Sequence, residues 1–589
     1  MNEKLNSLRA AMESAGIDAY IIFNTDPNND EYIPQEFMVI RHLTGFSGDN
    51  AQVVVTKDFA GLWTDSRYFI SGEIELRGSG FQMMKKRTNN DPSFITYLHD
   101  KMGKGKVVAF NGEYITQSNY EQITSKLTPK GIEVRNNVDL TQYFWPERPQ
   151  PQFSDIFMLD SRYTGATATQ KLRQIFSEMV TEKSDYLVLN RLDDIAWLLN
   201  LRAADIDYCP LIRSFMVLRK FGKKIVFFAH KQRISTEIVN YLTKLGVEIR
   251  DYSNIYSYLS EIKPESTINI DCSSANSLLV SQLNKCRIQN KKSPVQTAKA
   301  IKNDTELTNI QRALIMDGVA MEKFLYQLES KMQKREPVTE LQLAEILRNE
   351  RAKNKGFISE SFECISAFNE HAAMPHYAPS KQTDLEVKRD GVYLVDSGGQ
   401  YLLGTTDITR TIPTGRFSRQ FATDYTLVLM GNIEIAMAVF PEGSSGSQID
   451  ILARMAMWKY GRDYGHGTGH GVGYCLNCHE GPQAISPVHN TVALKEGMII
   501  TDEPGIYIEN QYGIRTENMI RVARADHKGF LKFEVMTLCH IDTRPVIKEM
   551  MTPAQIEFLN NYNQRVFNTL APFLNTPETE YLRARTKSI

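Results

Sequence analysis

The 589-residue chain is short of several features, and each shortage narrows what it can be. No stretch approaches the roughly 18 consecutive apolar residues of a membrane span, so no membrane partner is expected. The opening MNEKLNSLRAAMESAG is charged and amphipathic, without the apolar core of a secretory signal. Neither sign of charge is in excess. Lys plus Arg number 68 against 69 Asp plus Glu, a formal charge of -1, so no global field favours nucleic acid or an anionic surface. Cysteine is sparse: seven residues, an odd number scattered from Cys209 to Cys539, which suits reduced thiols and a cytoplasmic location. The C-x-x-C formed by Cys475 and Cys478 has no second copy to complete a zinc site. It follows a strand rather than opening a helix, and reads as structural.

Length excludes a single hydrophobic core and implies three or so domains. Residues 1–147 alternate helical and strand patterns: an amphipathic helix over 5–15, a strand over 19–23, then two strands and a helix start within 51–69. WPERPQPQ (145–152) is the first linker. Residues 153–300 repeat the pattern in kind, with a helix over 167–178 and strands over 186–189 and 224–228. That makes a second α/β domain, a structural sibling of the first without visible sequence repeat. The polar segment 290–306 leads into a long amphipathic helix beginning near Asp304, with Asp304 as its cap and Glu306 in its first turn, running towards Gln333. A third domain spans 304–545. An extension, 546–589, carries a helix started by Thr552 and Pro553 and a charged end expected to be disordered.

Chemistry concentrates in the third domain, where six of the eleven histidines fall between His371 and His489. In YGHGTGHGVG (464–473) glycine takes every second place, at Gly465, Gly467, Gly469, Gly471 and Gly473. Each would cost about 1 kcal/mol in a helix, and the residue after His466 is Gly467, so the Glu of H-E-x-x-H is missing. An extended chain fits better. It places His466, Thr468 and His470 on one face and leaves bare backbone, open to close approach, on the other. Acids stand at the ends of neighbouring strand-like segments. Asp396 closes an apolar strand before a Ser-Gly-Gly turn, and Asp407 lies on the way back. Glu503 follows MIIT (498–501), and Glu517 follows the turn 509–513 that folds the two glutamates together. Buried acids are costly unless paired or bound to a cation, and Arg410 and Arg515 are too few to neutralise four. Four carboxylates and one imidazole make an oxygen-rich site for two divalent metals, Mn²⁺, Co²⁺ or Fe²⁺, with Zn²⁺ an alternative. A metal pair that shares a bridging water is hydrolytic.

At these residues the chain resembles the pita-bread metallopeptidases, and within them the long, three-domain aminopeptidase P (X-Pro aminopeptidase) family. The family's ordered ligands Asp, Asp, His, Glu, Glu match Asp396, Asp407, His470, Glu503 and Glu517. Its flanking histidines match His376 in PHYAP, His466 in GHGTGHGVG and His479 in HEGP. The resemblance extends through HLTGFSGDN, WTDSRYF, DDIAWLLNLR, PVQTAKAIKNDTELTNIQRA and FLNNYNQRV. It implies two creatinase/ribonuclease H-like α/β domains before a pita-bread catalytic domain, an α/β and α+β multidomain chain, and a homodimer. It further implies that Asp407 and Glu517 bridge two ions, Mn²⁺ first among the candidates, that Asp396 completes one site, and that His470 with Glu503 completes the other. Glu503 and His479 would shuttle protons, while His376 and His466 would hold the substrate carbonyl and stabilise the leaving group. The substrates would be peptides with proline in second place, from which the first residue is released. Two departures stand out: Asn369-Glu370-His371 where relatives carry a Gly-Pro-Asn-like turn, and Ala203 where the family has glycine. The rival readings are an X-Pro dipeptidase (prolidase), a methionine aminopeptidase, a metal-free creatinase-like hydrolase and a non-catalytic binding protein of the same fold. The long N-terminal half and the complete ligand set count against them.

Overall fold

Two six-stranded sheets with one topology account for the first half of the chain, as a computed structural model describing residues 2–86 and 91–589 has it. The first contains Ala19–Phe23, Ala51–Thr56, Ala60–Asp65, Gln82–Lys86, Val107–Ala109 and Glu133–Arg135. The second contains Tyr186–Leu189, Ser214–Arg219, Lys224–Ala229, Val247–Arg250, Thr267–Ile270 and Arg287–Asn290. Counted along the chain, both sheets run 4-3-2-1-5-6. In both, the pairs 1–2 and 2–3 are antiparallel and 3–4, 1–5 and 5–6 parallel. The expected sibling relation is therefore one of topology, carried by β-branched and aromatic runs such as AYIIF and KIVFFA that bury both faces. The chain divides into two compact units: residues 1–159 with 166–295 form one, and 160–165 with 296–589 the other.

The second unit contains the 31-residue helix Asp304–Lys334. Its cap is Asn303, not Asp304: the Asn303 side chain accepts the Glu306 N–H while the Glu306 carboxylate accepts the Asn303 N–H. A six-stranded sheet orders Val439–Pro441, Phe530–Val535, Asn518–Arg524, Ile499–Asp502, Gly469–Gly471 and Glu480–Ile485. A three-stranded sheet orders Ile365–Phe368, Val392–Ser397 and Ile408–Pro413, and Gly505–Ile508 pairs with Tyr512–Arg515 in a ribbon. The apolar faces of Arg419–Ala436 and Pro553–Leu570 share one core with these strands through residues such as Tyr425, Leu429, Ile433, Ile500, Ile520, Leu559 and Val566. Burying each such side chain contributes about 1.5–3 kcal/mol. Pro553–Leu570 begins as expected, with a Thr552–Gln555 capping box. The charged end differs from expectation: it forms the helix Thr576–Arg585, held by Arg585 on Glu329 of the long helix. Among the described residues no helix is long and apolar enough to cross a membrane.

Candidate metal centre

Strand pairing gathers the carboxylates. Val392–Ser397 runs antiparallel to Ile408–Pro413 with Asp396 opposite Thr409, so Asp407, at the head of the returning strand, ends beside Asp396. The reversal lies between Gly399–Tyr401 and Gly404–Thr405 rather than at Ser397-Gly-Gly. Gly398 serves instead as a close crossing, where an added Cβ would stand 1.9 Å from the Thr406 carbonyl oxygen. The turn after Ile508 folds the glutamates together as expected. Gly505 faces Arg515 in the ribbon and Asp502 faces Asn518 in the sheet, which leaves Glu503 and Glu517 at the junction between the two.

The histidine stretch is extended only over Gly469–Gly471. The glycine side admits the protein's own backbone: a Cβ on Gly469 would stand 1.8 Å from the Thr501 carbonyl oxygen, and one on Gly471 2.5 Å from that of Glu480. Thr468 does not join the histidines; its hydroxyl donates to Asp450 Oδ1 at 2.6 Å. Arg454, bonded to the same carboxylate, grips the stretch by donating to the Tyr464 and His466 carbonyls at 2.8 and 2.9 Å.

One donor atom each of Asp407, His470 and Glu517 lie within 4.8 Å of one another. His470 Nε2 stands 3.4 Å from Asp407 Oδ2 and 3.5 Å from Glu503 Oε1. Its Nδ1 is 2.9 Å from the Gly471 carbonyl oxygen, which only accepts, so Nδ1 carries a proton and Nε2 faces the two acids. The spacing suits a cation shared among the three. Ligands bound at about 2.0–2.2 Å on neighbouring vertices of one ion stand roughly 3.0–3.4 Å apart, close to the spacing found. Among the described residues, Asp396 and Asp407 each keep a buried Oδ1 with no hydrogen-bond partner, and such groups are costly without compensation. Of the two arginines noted in the sequence, Arg515 alone pairs with a site acid, holding Asp396 Oδ2 through Nε at 3.0 Å and through Nη2. Arg410 is spent on the carbonyls of Thr409, Glu517, Cys539 and His540.

The electrostatics agree. Burial, then the charges of Asp407, Asp396 and Glu503, pushes Glu517 well above the usual carboxylate range. Burial pushes Glu503 up to about 7 against the pull of His470 and Arg515, and it raises Asp396 despite Arg515. At Asp407 burial is outweighed by the hydrogen bond and charge of His470, and the group lies below its usual range. Buried acids that resist ionisation, gathered beside an imidazole, fit divalent cations.

The remaining expected residues are distributed unevenly. His479 packs edge-on against His470, ring centres 4.2 Å apart. His466 lies with Nδ1 2.7 Å from the Gly467 carbonyl oxygen and Nε2 2.8 Å from the Tyr507 hydroxyl, which in turn accepts from Arg515 Nη1 at 2.6 Å. His376 is exposed in a turn, with the preceding Pro375 carbonyl accepting from Arg515 Nη2 at 3.4 Å. The departure 369–371 is an anchor for this turn. Asn369, at φ 49°, accepts the Val392 N–H, and His371 Nδ1 sits 3.0 Å from both oxygens of buried Glu340. Sequence reasoning missed Tyr507, Thr409, whose hydroxyl donates to Glu517 at 2.6 Å, and Cys478, whose thiol donates to Asp407 Oδ2 at 3.2 Å. The available signal for Tyr507 was alternation: it shares a strand face with Gly505 in GIYI, where a Cβ would meet its hydroxyl at 2.6 Å.

Comparison with known proteins gives the same picture. Residues 308–524 match metallopeptidase family M24, 4–148 and 147–306 each match a creatinase/prolidase N-terminal domain, and 529–589 match the C-terminal region of peptidase M24. The chain is 33% identical over 602 residues to Xaa-Pro aminopeptidase 1 of Dictyostelium discoideum, covering 98% of this chain and 94% of that protein. It is 32% identical over 663 residues to aminopeptidase P1 of Lotus japonicus, covering 100% of each. An X-prolyl aminopeptidase of Caenorhabditis elegans, a cytosolic enzyme with a di-nuclear active site, superposes with a TM-score of 0.95 at 32% identity, over 100% of this chain and 99% of that one. The chain belongs to the Xaa-Pro aminopeptidases of metallopeptidase family M24.

Proposed function

We propose that the protein removes the first residue from peptides with proline in second place, using two divalent metal ions held by Asp396, Asp407, His470, Glu503 and Glu517. The observation that carries this reading is the uncompensated donor set: two buried carboxylate oxygens without partners among the described residues, and the Nε2 of His470 turned towards Asp407 and Glu503. When bound, the ions supply Lewis acidity and a water acidified to near-neutral pKa. Mn²⁺ is the proposed metal, on the oxygen-rich donors. The chain's own residues do the rest. Glu503, 3.5 Å from His470 Nε2, takes and returns the proton during the reaction. His479, packed on His470, is the second proton carrier. His376 and His466 hold the substrate carbonyl and the leaving nitrogen, with His466 oriented through Tyr507 by Arg515.

Proline explains why a dedicated cleft is needed. An X-Pro bond has no N–H, and the ring fixes φ, so clefts that grip an extended N–H-bearing backbone bind it badly. The domain limits 1–147, 153–300, 304–545 and 546–589 belong to this reading. They are supported by the pairing of Phe530–Val535 into the catalytic sheet, which puts the extension after it. A homodimer is proposed on the exposed face of Ile451–Trp458, where Ile451, Met455 and Trp458 recur at helical spacing, with exposed Tyr460 two residues on. We assign the protein to the cytosol, as for the C. elegans enzyme. The test is a matched peptide pair, X-Pro-Pro and X-Ala-Pro, with Mn²⁺. Release of the first residue from X-Pro-Pro alone supports the reading, and equal release from both removes the proline requirement.

A further inference from the structure

Cys478, half of the C-x-x-C, sets its thiol against one of the site's acids. We propose that Cys478 is a positioning residue for Asp407, donating its S–H to Oδ2 and so fixing the orientation of the carboxylate towards the metal ions, and that this contact sets the protein's affinity for divalent cations. The inference rests on Asp407 being a metal ligand.

The geometry is specific. Cys478 is fully buried and its Sγ lies 3.2 Å from Asp407 Oδ2. An ionised carboxylate only accepts, so the thiol donates. Two groups thus converge on Oδ2, the thiol and His470 Nε2 at 3.4 Å, while buried Oδ1 has no partner. A buried cysteine usually packs as a small apolar side chain; this one makes a charge-assisted contact. The backbone holds it there. The Gly473 N–H donates to the Asn477 carbonyl at 3.0 Å, closing a turn in which Cys475 takes φ 49°. Gln400 Nε2 donates to the Leu476 carbonyl at 2.6 Å, which ties the turn to the ribbon between Asp396 and Asp407. Partners that orient a metal-binding side chain are typically worth 10- to 100-fold in metal affinity.

The test compares Cys478→Thr with Cys478→Val in the full-length, chelator-stripped protein. Their side chains have the same shape, and only threonine can donate. Mn²⁺ binding is read by titration calorimetry, with metal-free melting curves to establish folding and Cys478→Ala as a second donor-free variant should valine not fold. The expected result is affinity within about threefold of the parent for Thr and at least about tenfold weaker for Val and Ala. Parent-like affinity in Val overturns the proposal, and so does equal weakening in Thr and Val, which would make shape the cause. An intense sulfur-to-cobalt absorption in the Co²⁺-loaded parent, absent in Val, would overturn it too by making the sulfur itself a ligand. Asp407→Asn separates the two levels. If it binds Mn²⁺ like the parent, the site reading fails and this inference with it; if it loses Mn²⁺ while Val does not, only this inference fails.

Discussion

Chelating the cations should make the catalytic unit lose stability as the solution becomes more alkaline. Glu503 supplies the magnitude. Burial pushes it from an ordinary 4.5 up to about 7, against the pull of His470 and Arg515. A carboxyl raised in the folded state holds its proton more tightly there than in the unfolded chain. Its stabilising share is complete below about 4.5 and is lost as pH rises through about 7. That span is worth on the order of 3 kcal/mol. Glu517 and Asp396, raised by burial first, act in the same direction. Asp407, where His470 outweighs burial, titrates at acid pH outside this window. Bound Mn²⁺ takes the place of the protons and should abolish the loss. Thermal melts of the full-length chain at about pH 5, 6.5 and 8 would show it. In chelator the midpoint should fall by several degrees, at roughly 2 °C per kcal/mol; in excess Mn²⁺ the fall should be clearly smaller. Asp26 of the first unit, pushed up to about 6 by burial, adds a slope that Mn²⁺ leaves untouched, so Glu503→Gln under chelation isolates the site's share. A chelated midpoint that is flat or rising, or a slope that Mn²⁺ does not change, would refute the reasoning.

Asp407→Asn and Glu517→Gln should each lower bound Mn²⁺ below two ions per chain by elemental analysis and cut X-Pro-Pro hydrolysis to about a hundredth or less. Tyr507→Phe takes a partner from both Arg515 Nη1 and His466 Nε2. It should cost about 1–3 kcal/mol in a denaturation midpoint and lower kcat/KM about tenfold while leaving metal content unchanged. Met455→Glu with Trp458→Glu places two charges on the exposed apolar face. The mass by light scattering should drop from that of two chains to one, with hydrolysis retained; a parent that is already monomeric would end the dimer proposal.

The acids were legible because hairpins impose local geometry. Asp396 and Asp407 lie either side of one ribbon, and Glu503 and Glu517 either side of another, so short-range pattern sufficed. Strands such as Ala19–Phe23 and Tyr186–Leu189 were legible for the same reason, being apolar runs bounded by turns. Long-range pairing was not. Nothing near Arg515 announces that it joins Asp396, Tyr507 and Pro375, or near Thr468 that Asp450 claims its hydroxyl. The cap at Asn303 rather than Asp304 turned on which of two adjacent capping residues meets Glu306 three positions on. The charged end starts its helix with a local Asn575–Glu578 capping box, but its anchor, Arg585 on Glu329, is a partner 256 residues away that no local pattern reveals. Cys478 read as structural because its acid lies 71 residues earlier.

The most direct test of the central claim is product analysis by mass spectrometry on metal-stripped protein, with and without Mn²⁺, given an X-Pro-Pro tripeptide, an X-Pro dipeptide and Met-Ala-Ser. The account predicts Mn²⁺-dependent release of only the first residue, from the tripeptide. Preference for the dipeptide would make the protein a prolidase, and no cleavage with two ions bound per chain would make it a binding protein; either result contradicts the account.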